Sequence, residues 1–232
     1  NGQKELMAAL SGERTVDDPD IVRLMGAPAG RLDAEERRAL GLAFVPEERL
    51  GRGAVPEMSL AENALLTAHR QGLVSRHFVR AGAVREYAEQ TIAEFRVKAG
   101  GPDAVARSLS GGNLQKFIVG REIRQRPRVM IAAQPTWGVD VGAAAQIRQA
   151  LIDLRDAGVA VLVVSEELDE LFEICDRLAV IAQGRLAEAR PTRDTDAEEI
   201  GLLMSGSFIA AGAHSERTFS PAGAIDAMGS EP

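Results

Sequence analysis

The chain has 232 residues, of which 45% are hydrophobic and 26% charged, which suits one globular domain or a core with a smaller lobe. A formal net charge of -7 excludes a globally basic surface of the kind that binds nucleic acid, and 4% aromatic content leaves few rings for stacking bases. The one cysteine, Cys175, excludes an internal disulfide and fits a cytosolic home, and no apolar run approaches the roughly 20 residues that span a bilayer.

In chain order, Asn1-Gly2-Gln3-Lys4-Glu5-Leu6 opens on the start of a helix, with no methionine and inside what looks like a motif. The chain therefore reads as a piece of a longer polypeptide. Leu42-Ala43-Phe44-Val45 predicts a strand that stops at Pro46. Glu47 to Leu60 is an irregular connection holding Gly51, Gly53 and Pro56. From Leu60 to Arg107 helical spacing takes over, with helices expected over Leu60–His69 and Ala83–Phe95 and no strand pattern. Asn113 to Arg124 follows as a helix behind a Ser-Gly-Gly turn.

Val129-Met130-Ile131-Ala132 and Val159 to Val164 read as buried strands. Helical patterns over Ala143–Ala157 and Leu168–Cys175 alternate with them. That alternation predicts an α/β fold with a parallel sheet. Arg177–Ile181, a Gln183-Gly184 turn and Arg185–Ala189 predict a hairpin, and Ser207 to Pro232 reads as a mobile tail rich in Gly, Ala and Ser.

The run Ser108-Leu109-Ser110-Gly111-Gly112-Asn113-Leu114-Gln115-Lys116 carries the most chemistry. Adjacent glycines let backbone amides approach a phosphate, Ser110 adds a hydroxyl, and the helix dipole points the same way. Taken alone, the same residues also read as a polar turn capping a helix. Downstream come Pro135-Thr136, Gly138-Val139-Asp140 and Ser165-Glu166-Glu167-Leu168-Asp169-Glu170-Leu171, in order.

Together these parts resemble the ATP-binding-cassette (ABC) ATPases of membrane transporters, over about Asn1 to Ser205. The closest pattern is the second, C-terminal cassette of fused proteins that import simple sugars such as ribose and galactose, or nucleosides. Ala132-Ala133-Gln134-Pro135, in place of a usual Asp-Glu-Pro, looks most like the nucleoside branch. The resemblance implies a RecA-like P-loop NTPase core over 1–50 and 108–206, a helical subdomain over 51–107 and a tail over 207–232. The N-terminal β portion and part of the P-loop lie outside the chain.

The resemblance also assigns positions. Aligned on Gly2 and Leu6, Gln3 stands where a P-loop lysine binds phosphate, and Lys4 stands where Ser or Thr binds Mg²⁺. Gln carries no charge and an ammonium cannot ligate Mg²⁺, although Lys4 reaches a phosphate if the register slips by one. Ala133 and Gln134 occupy the Walker B carboxylate and the catalytic glutamate positions, and Glu166 the position of the switch-loop histidine. Alanine cannot hold a metal, Gln is no general base, and Glu166 repels phosphate. Glu47 takes the place of the Q-loop glutamine, as is common in second cassettes.

So four functional positions depart together, and no residue competent for catalysis in cis is expected. Each such loss typically costs about 10² to 10⁴ in rate. The signature turn is intact. In the resembling family it acts in trans, so Ser110, Gly111, Gly112 and Asn113 would cover ATP and Mg²⁺ held mainly by a partner cassette, with the Asp140 D-loop crossing the interface.

The implied partners are the N-terminal cassette of the same polypeptide, two transmembrane permease subunits facing Glu47–Leu60, and a periplasmic or lipid-anchored solute-binding protein. No nucleic acid is implied. The implied location is the cytoplasmic face of the membrane. A non-transport or regulatory ABC-type pseudo-ATPase is the alternative. His69, His77 and His214 lack metal-ligand spacing, and Trp137 stands where arginine is frequent, either at a cassette interface or over the strand end.

Overall fold

The computed structural model describes residues 2–205, which form two compact units. The larger runs from Glu5 to Cys175, and the smaller holds residues 2–4 and 176–205. The predicted tail and His214 lie outside the described residues.

The larger unit opens with α1 (Gln3–Ser11, whose first two residues belong to the smaller unit) and a hairpin of β1 (Arg23–Leu24) and β2 (Ala27–Pro28). Next come α2 (Ala34–Ala39) and β3 (Leu42–Val45). Asp33 and Glu36 close a capping box at the start of α2, each bonding the other's backbone amide. The insert follows: α3 (Leu60–Ala68), a hairpin of β4 (Val74–Ser75) and β5 (Phe78–Val79), and α4 (Ala81–Glu94). The last elements of this unit are α5 (Gly111–Ile123), β6 (Val129–Ala133), α6 (Val141–Asp156), β7 (Ala160–Val164) and α7 (Leu168–Ile174).

β3, β6 and β7 form a parallel sheet in the order β3-β6-β7, in register from Leu42 opposite Val129 and from Val129 opposite Ala160. The period of two splits its side chains between two cores. Leu42, Phe44, Ile131 and Ala133 pack with Met7 of α1, Leu24 and Ala29 on one face. Ala43, Val45, Met130 and Ala132 pack with Phe117 and Ile118 of α5 and with Ile147 and Leu151 of α6 on the other. Apolar cover on both faces is what a parallel sheet requires, and it explains the unbroken apolar strands. The insert joins the second core through Leu60, Ala64, Val84 and Ala88.

Three sequence expectations in the larger unit need correction. The stretch from Leu60 to Arg107 does contain strands, because the β4–β5 hairpin turns on Arg76 and His77 at φ 48° and 69°, without the Gly or Asn that usually signals it. β7 is an outer strand among the described residues, so Leu162 stays 40% exposed although its run is wholly apolar. The helix expected from Asn113 begins at Gly111, since Ser110 is its N-cap.

In the smaller unit β8 (Arg177–Leu178) pairs with β11 (Arg190–Pro191), and β9 (Ile181–Ala182) pairs with β10 (Arg185–Leu186). The β9–β10 turn falls on Gln183-Gly184, both at positive φ, as the sequence predicts. The strand expected over Arg177–Ile181 is interrupted, because its two ends pair with different partners. α8 (Ala197–Met204) closes the unit, capped by the Asp196 carboxylate.

Candidate functional site

Ser110 sits at extended φ and ψ just before α5, and its hydroxyl oxygen accepts from the Asn113 amide at 3.5 Å and from Asn113 Nδ2 at 2.9 Å. Asn113 Oδ1 in turn accepts from the Lys98 amide at 2.8 Å, which pins the turn to the segment before it. Ser110 and Gly111 are exposed and Gly112 is buried. First-turn amides have no acceptor within their own helix, and Ser110 takes up that of Asn113.

Side chains lie close beneath both glycines. A Cβ on Gly111 would lie 2.7 Å from Arg49 Nη1, and one on Gly112 would lie 2.9 Å from Asp140 Oδ2. Asp140 is the N-cap of α6, its Oδ1 accepting from the Ala143 amide at 2.9 Å. The starts of α5 and α6 thus converge around one carboxylate. Lys116, one turn into α5, donates to the Arg96 carbonyl at 2.7 Å. Burial lowers its pKa, and the Asp140 charge opposes that shift.

The end of β6 carries the positions where the sequence predicts missing carboxylates. Ala133 is buried and contributes a methyl group to the core around Met7. Gln134 is buried at φ 49°; its amide donates to the Val164 carbonyl at 2.7 Å, and its Oε1 accepts from the Glu166 amide at 3.4 Å. The Gln134 side chain therefore ties β6 to the loop after β7. The Glu166 side chain is exposed, as is that of Glu47. Beyond them, Thr136 donates to Oε1 of the buried Glu170 at 2.6 Å.

The larger unit brings together Ser110, Gly111, Gly112, Asn113 and Asp140, and separately Gln134 and Glu166. Gly2, Gln3 and Lys4 belong to the smaller unit, where a Cβ on Gly2 would meet Ile181 at 3.3 Å. Trp137 is 61% exposed on the turn after β6. Among the described residues no cluster of His, Cys, Asp or Glu could hold a metal.

Sequence reasoning missed Arg49. It follows Glu47 and Glu48 in the connection after β3, and its Nη1 donates to the Gly138 carbonyl at 3.4 Å. Arg121 is 2% exposed and donates to the carbonyls of Asn63 and Gly53 at 3.0 and 2.9 Å, beside the fully buried Glu122.

The parallel sheet, the insert and the glycine turn at a helix start define an ATP-binding-cassette ATPase domain. Solved cassettes share this fold: a dimeric post-hydrolysis state of the cassette MJ0796 with ADP and Pi aligns at TM-score 0.69 and 19% identity, covering 83% of this chain and 81% of that one. MJ1267 in its ADP conformation aligns at 0.63, with 20% identity over 88% and 80%.

Sequence narrows the class further. The guanosine import ATP-binding protein NupO of Bacillus subtilis is 39% identical over 208 residues, or 89% of this chain and 41% of NupO. NupA of Lactococcus lactis, a nucleoside import ATP-binding protein, is 39% identical over 210 residues, covering 90% and 41%. A ribose import ATP-binding protein, RbsA 1 of Rubrobacter xylanophilus, is 34% identical over 212 residues, covering 91% and 42%. No family model matches the chain. The chain belongs to the ABC transporter ATP-binding proteins of the sugar and nucleoside import type, and it spans about two fifths of the length of these relatives.

Proposed function

We propose that this chain is the second cassette of a two-cassette ATPase that energises import of a nucleoside or simple sugar, and that its signature turn completes an ATP site held by the partner cassette. One observation carries the reading. The Ser110-Gly111 turn at the start of α5 is exposed, while Ala133 and Gln134 put no carboxylate at the end of β6. The relatives' printed roles in guanosine, nucleoside and ribose import support the substrate class.

The residues at the strand end do not fit a Mg²⁺ ion. Gln134 Oε1 is engaged by the Glu166 amide, and Ala133 offers no side-chain oxygen. No hydrolytic step is therefore assigned to this cassette's own positions. Its contribution is to bind and orient. Amides at Gly111 and Gly112 and the Ser110 hydroxyl offer hydrogen bonds to an anionic group arriving from outside, and Asp140 holds the start of α6 against that turn. ATP and Mg²⁺ would rest mainly on the partner.

We read residues 51–107 as the helical subdomain and 1–50 with 108–206 as the ATPase core. The partners in this reading are an N-terminal cassette, two permease subunits and a solute-binding protein at the cytoplasmic face of the membrane. No described helix is long and apolar enough to cross a membrane itself.

The test uses Ser110→Arg in the protein at its natural full length. The exposed side chain can grow without an internal clash, so folding should lose only the cap, about 1 kcal/mol. ATP hydrolysis should fall at least about tenfold, because a bulky cation replaces the donor turn. The chain of 232 residues alone should hydrolyse no ATP above background. Turnover by the chain alone at the rate of the full-length protein, or full hydrolysis by Ser110→Arg, refutes the reading.

A further inference from the structure

The connection after β3 is a tight loop. The Gly53 amide donates to the Glu48 carbonyl at 2.9 Å, the Ala54 amide to the Arg49 carbonyl at 2.7 Å, and the Gly51 amide to the Ala54 carbonyl at 2.9 Å. It touches α5 at two places. In its middle, Gly53 packs so closely that a Cβ would lie 2.9 Å from Ile118 Cδ1, and Arg121 Nη2 donates to the Gly53 carbonyl at 2.9 Å. At the start of α5, the Arg49 guanidinium lies over Gly111, with Nη1 2.7 Å from where a Cβ would be, and it also donates to the Gly138 carbonyl.

We infer that Arg49 is a positioning residue, a strut that locks the loop after β3 to the signature turn at Gly111 and to the Gly138 carbonyl so that the three segments move as one. The inference rests on the reading above. Three features distinguish a strut from a stabilising ion pair. Among the described residues no carboxylate meets the guanidinium. Its Nη2 is shielded from solvent with no partner among them. Its one side-chain bond to a described residue is the long one to Gly138. A half-buried, incompletely paired cation costs folding free energy, and burial lowers its pKa accordingly. Its effect should appear in the alignment of the donor turn with the segment before α6, and not in stability.

Arg49→Met in the full-length protein should leave the melting temperature unchanged or higher, whereas a structural residue would lower it. The same variant should cut kcat for ATP hydrolysis about tenfold, with KM for ATP within about twofold, and Arg49→Lys should recover part of kcat. A stability cycle checks the contact itself in the isolated chain. Gly111→Ala should shift the melting temperature differently in the wild-type and Arg49→Met backgrounds, because the added methyl meets the guanidinium only where Arg49 is present.

Equal Gly111→Ala costs in both backgrounds overturn the strut. So does an unchanged kcat in Arg49→Met while Ser110→Arg is inactive, and that result leaves the trans reading standing. Full hydrolysis by Ser110→Arg instead overturns the trans reading, and the stability cycle still decides the contact.

Discussion

Glu122 offers the sharpest test of how the insert is tied to the core. Its carboxylate is fully buried: Oε1 accepts from Arg121 Nε at 3.0 Å, and Oε2 accepts from Arg38 Nη1 at 2.6 Å and Gln125 Nε2 at 3.0 Å. Glu122→Ala would leave Arg121, itself 2% exposed, as an uncompensated buried cation. Breaking one side of such a pair typically costs about 3–5 kcal/mol. At an m-value of about 3 kcal/mol/M in urea, that moves the unfolding midpoint down by about 1–1.7 M. Replacing both residues, as in Arg121→Met with Glu122→Leu, removes the stranded Arg121 charge, while Arg38 still loses its carboxylate partner. The Gly53 and Asn63 carbonyls would still lose donors at about 1–3 kcal/mol each.

The pH dependence carries the same signature. Burial pushes the Glu122 carboxyl up, but Arg121 and Arg38 outweigh it and hold the pKa below the ordinary 4.5. A lowered native pKa means that the contribution is present above 4.5 and is lost as pH falls through the native value. Glu122→Gln should remove that part of the acid sensitivity. A Glu122→Ala midpoint within about 1 kcal/mol of wild type would refute the argument that this carboxylate compensates Arg121.

Two further predictions use other parts of the core. Tyr87 is the only tyrosine, so absorbance at 295 nm reads it alone; burial raises its pKa to about 12. Stability linked to it is complete below pH 10 and is lost as pH rises towards 12, so Tyr87→Phe should flatten that slope, and a folded protein whose tyrosine titrates near 10 contradicts the burial argument. On Gly120 in α5, a Cβ would lie 2.4 Å from the Phe95 ring, so Gly120→Ala should destabilise by about 1–3 kcal/mol despite alanine's helix preference. Gly201→Ala in α8, where nothing lies within 4 Å, should stabilise by about 0.5–1 kcal/mol, and equal signs in urea unfolding would sink the distinction.

The sequence was most legible where one face or one cap decides the outcome. β3 is found at its observed bounds because four apolar residues end at a proline, and the strand expected at Val129 runs one residue longer, to Ala133. The donor turn is legible because Ser110 caps a helix and two glycines follow. Two-residue strands escape notice, since alternation over two positions is no signal, and the Met25-Gly26 and Arg76-His77 turns look alike to no template. The burial of Arg121 and the place of Arg49 escape notice for another reason. A guanidinium's burial depends on carbonyls supplied by distant segments, at Gly53 and Asn63 for one and at Gly138 for the other.

The same distinction bears on how the glycine motif itself should be read. Gly111 lies under Arg49, and Gly112 lies against Asp140 with Ala143 3.3 Å from the added carbon. At Gly112 packing from inside the chain favours glycine even if no phosphate ever arrived, whereas at Gly111 the close neighbour is a guanidinium end that can swing aside. The glycines alone do not separate a donor turn that works in trans from a closely packed helix start. Ser110 does separate them. Its side chain is exposed, its bonds are local, and the fold asks of it only a cap. A change there alters what an approaching partner meets while leaving the buried contacts in place. That is why the decisive substitution falls on the serine and not on either glycine.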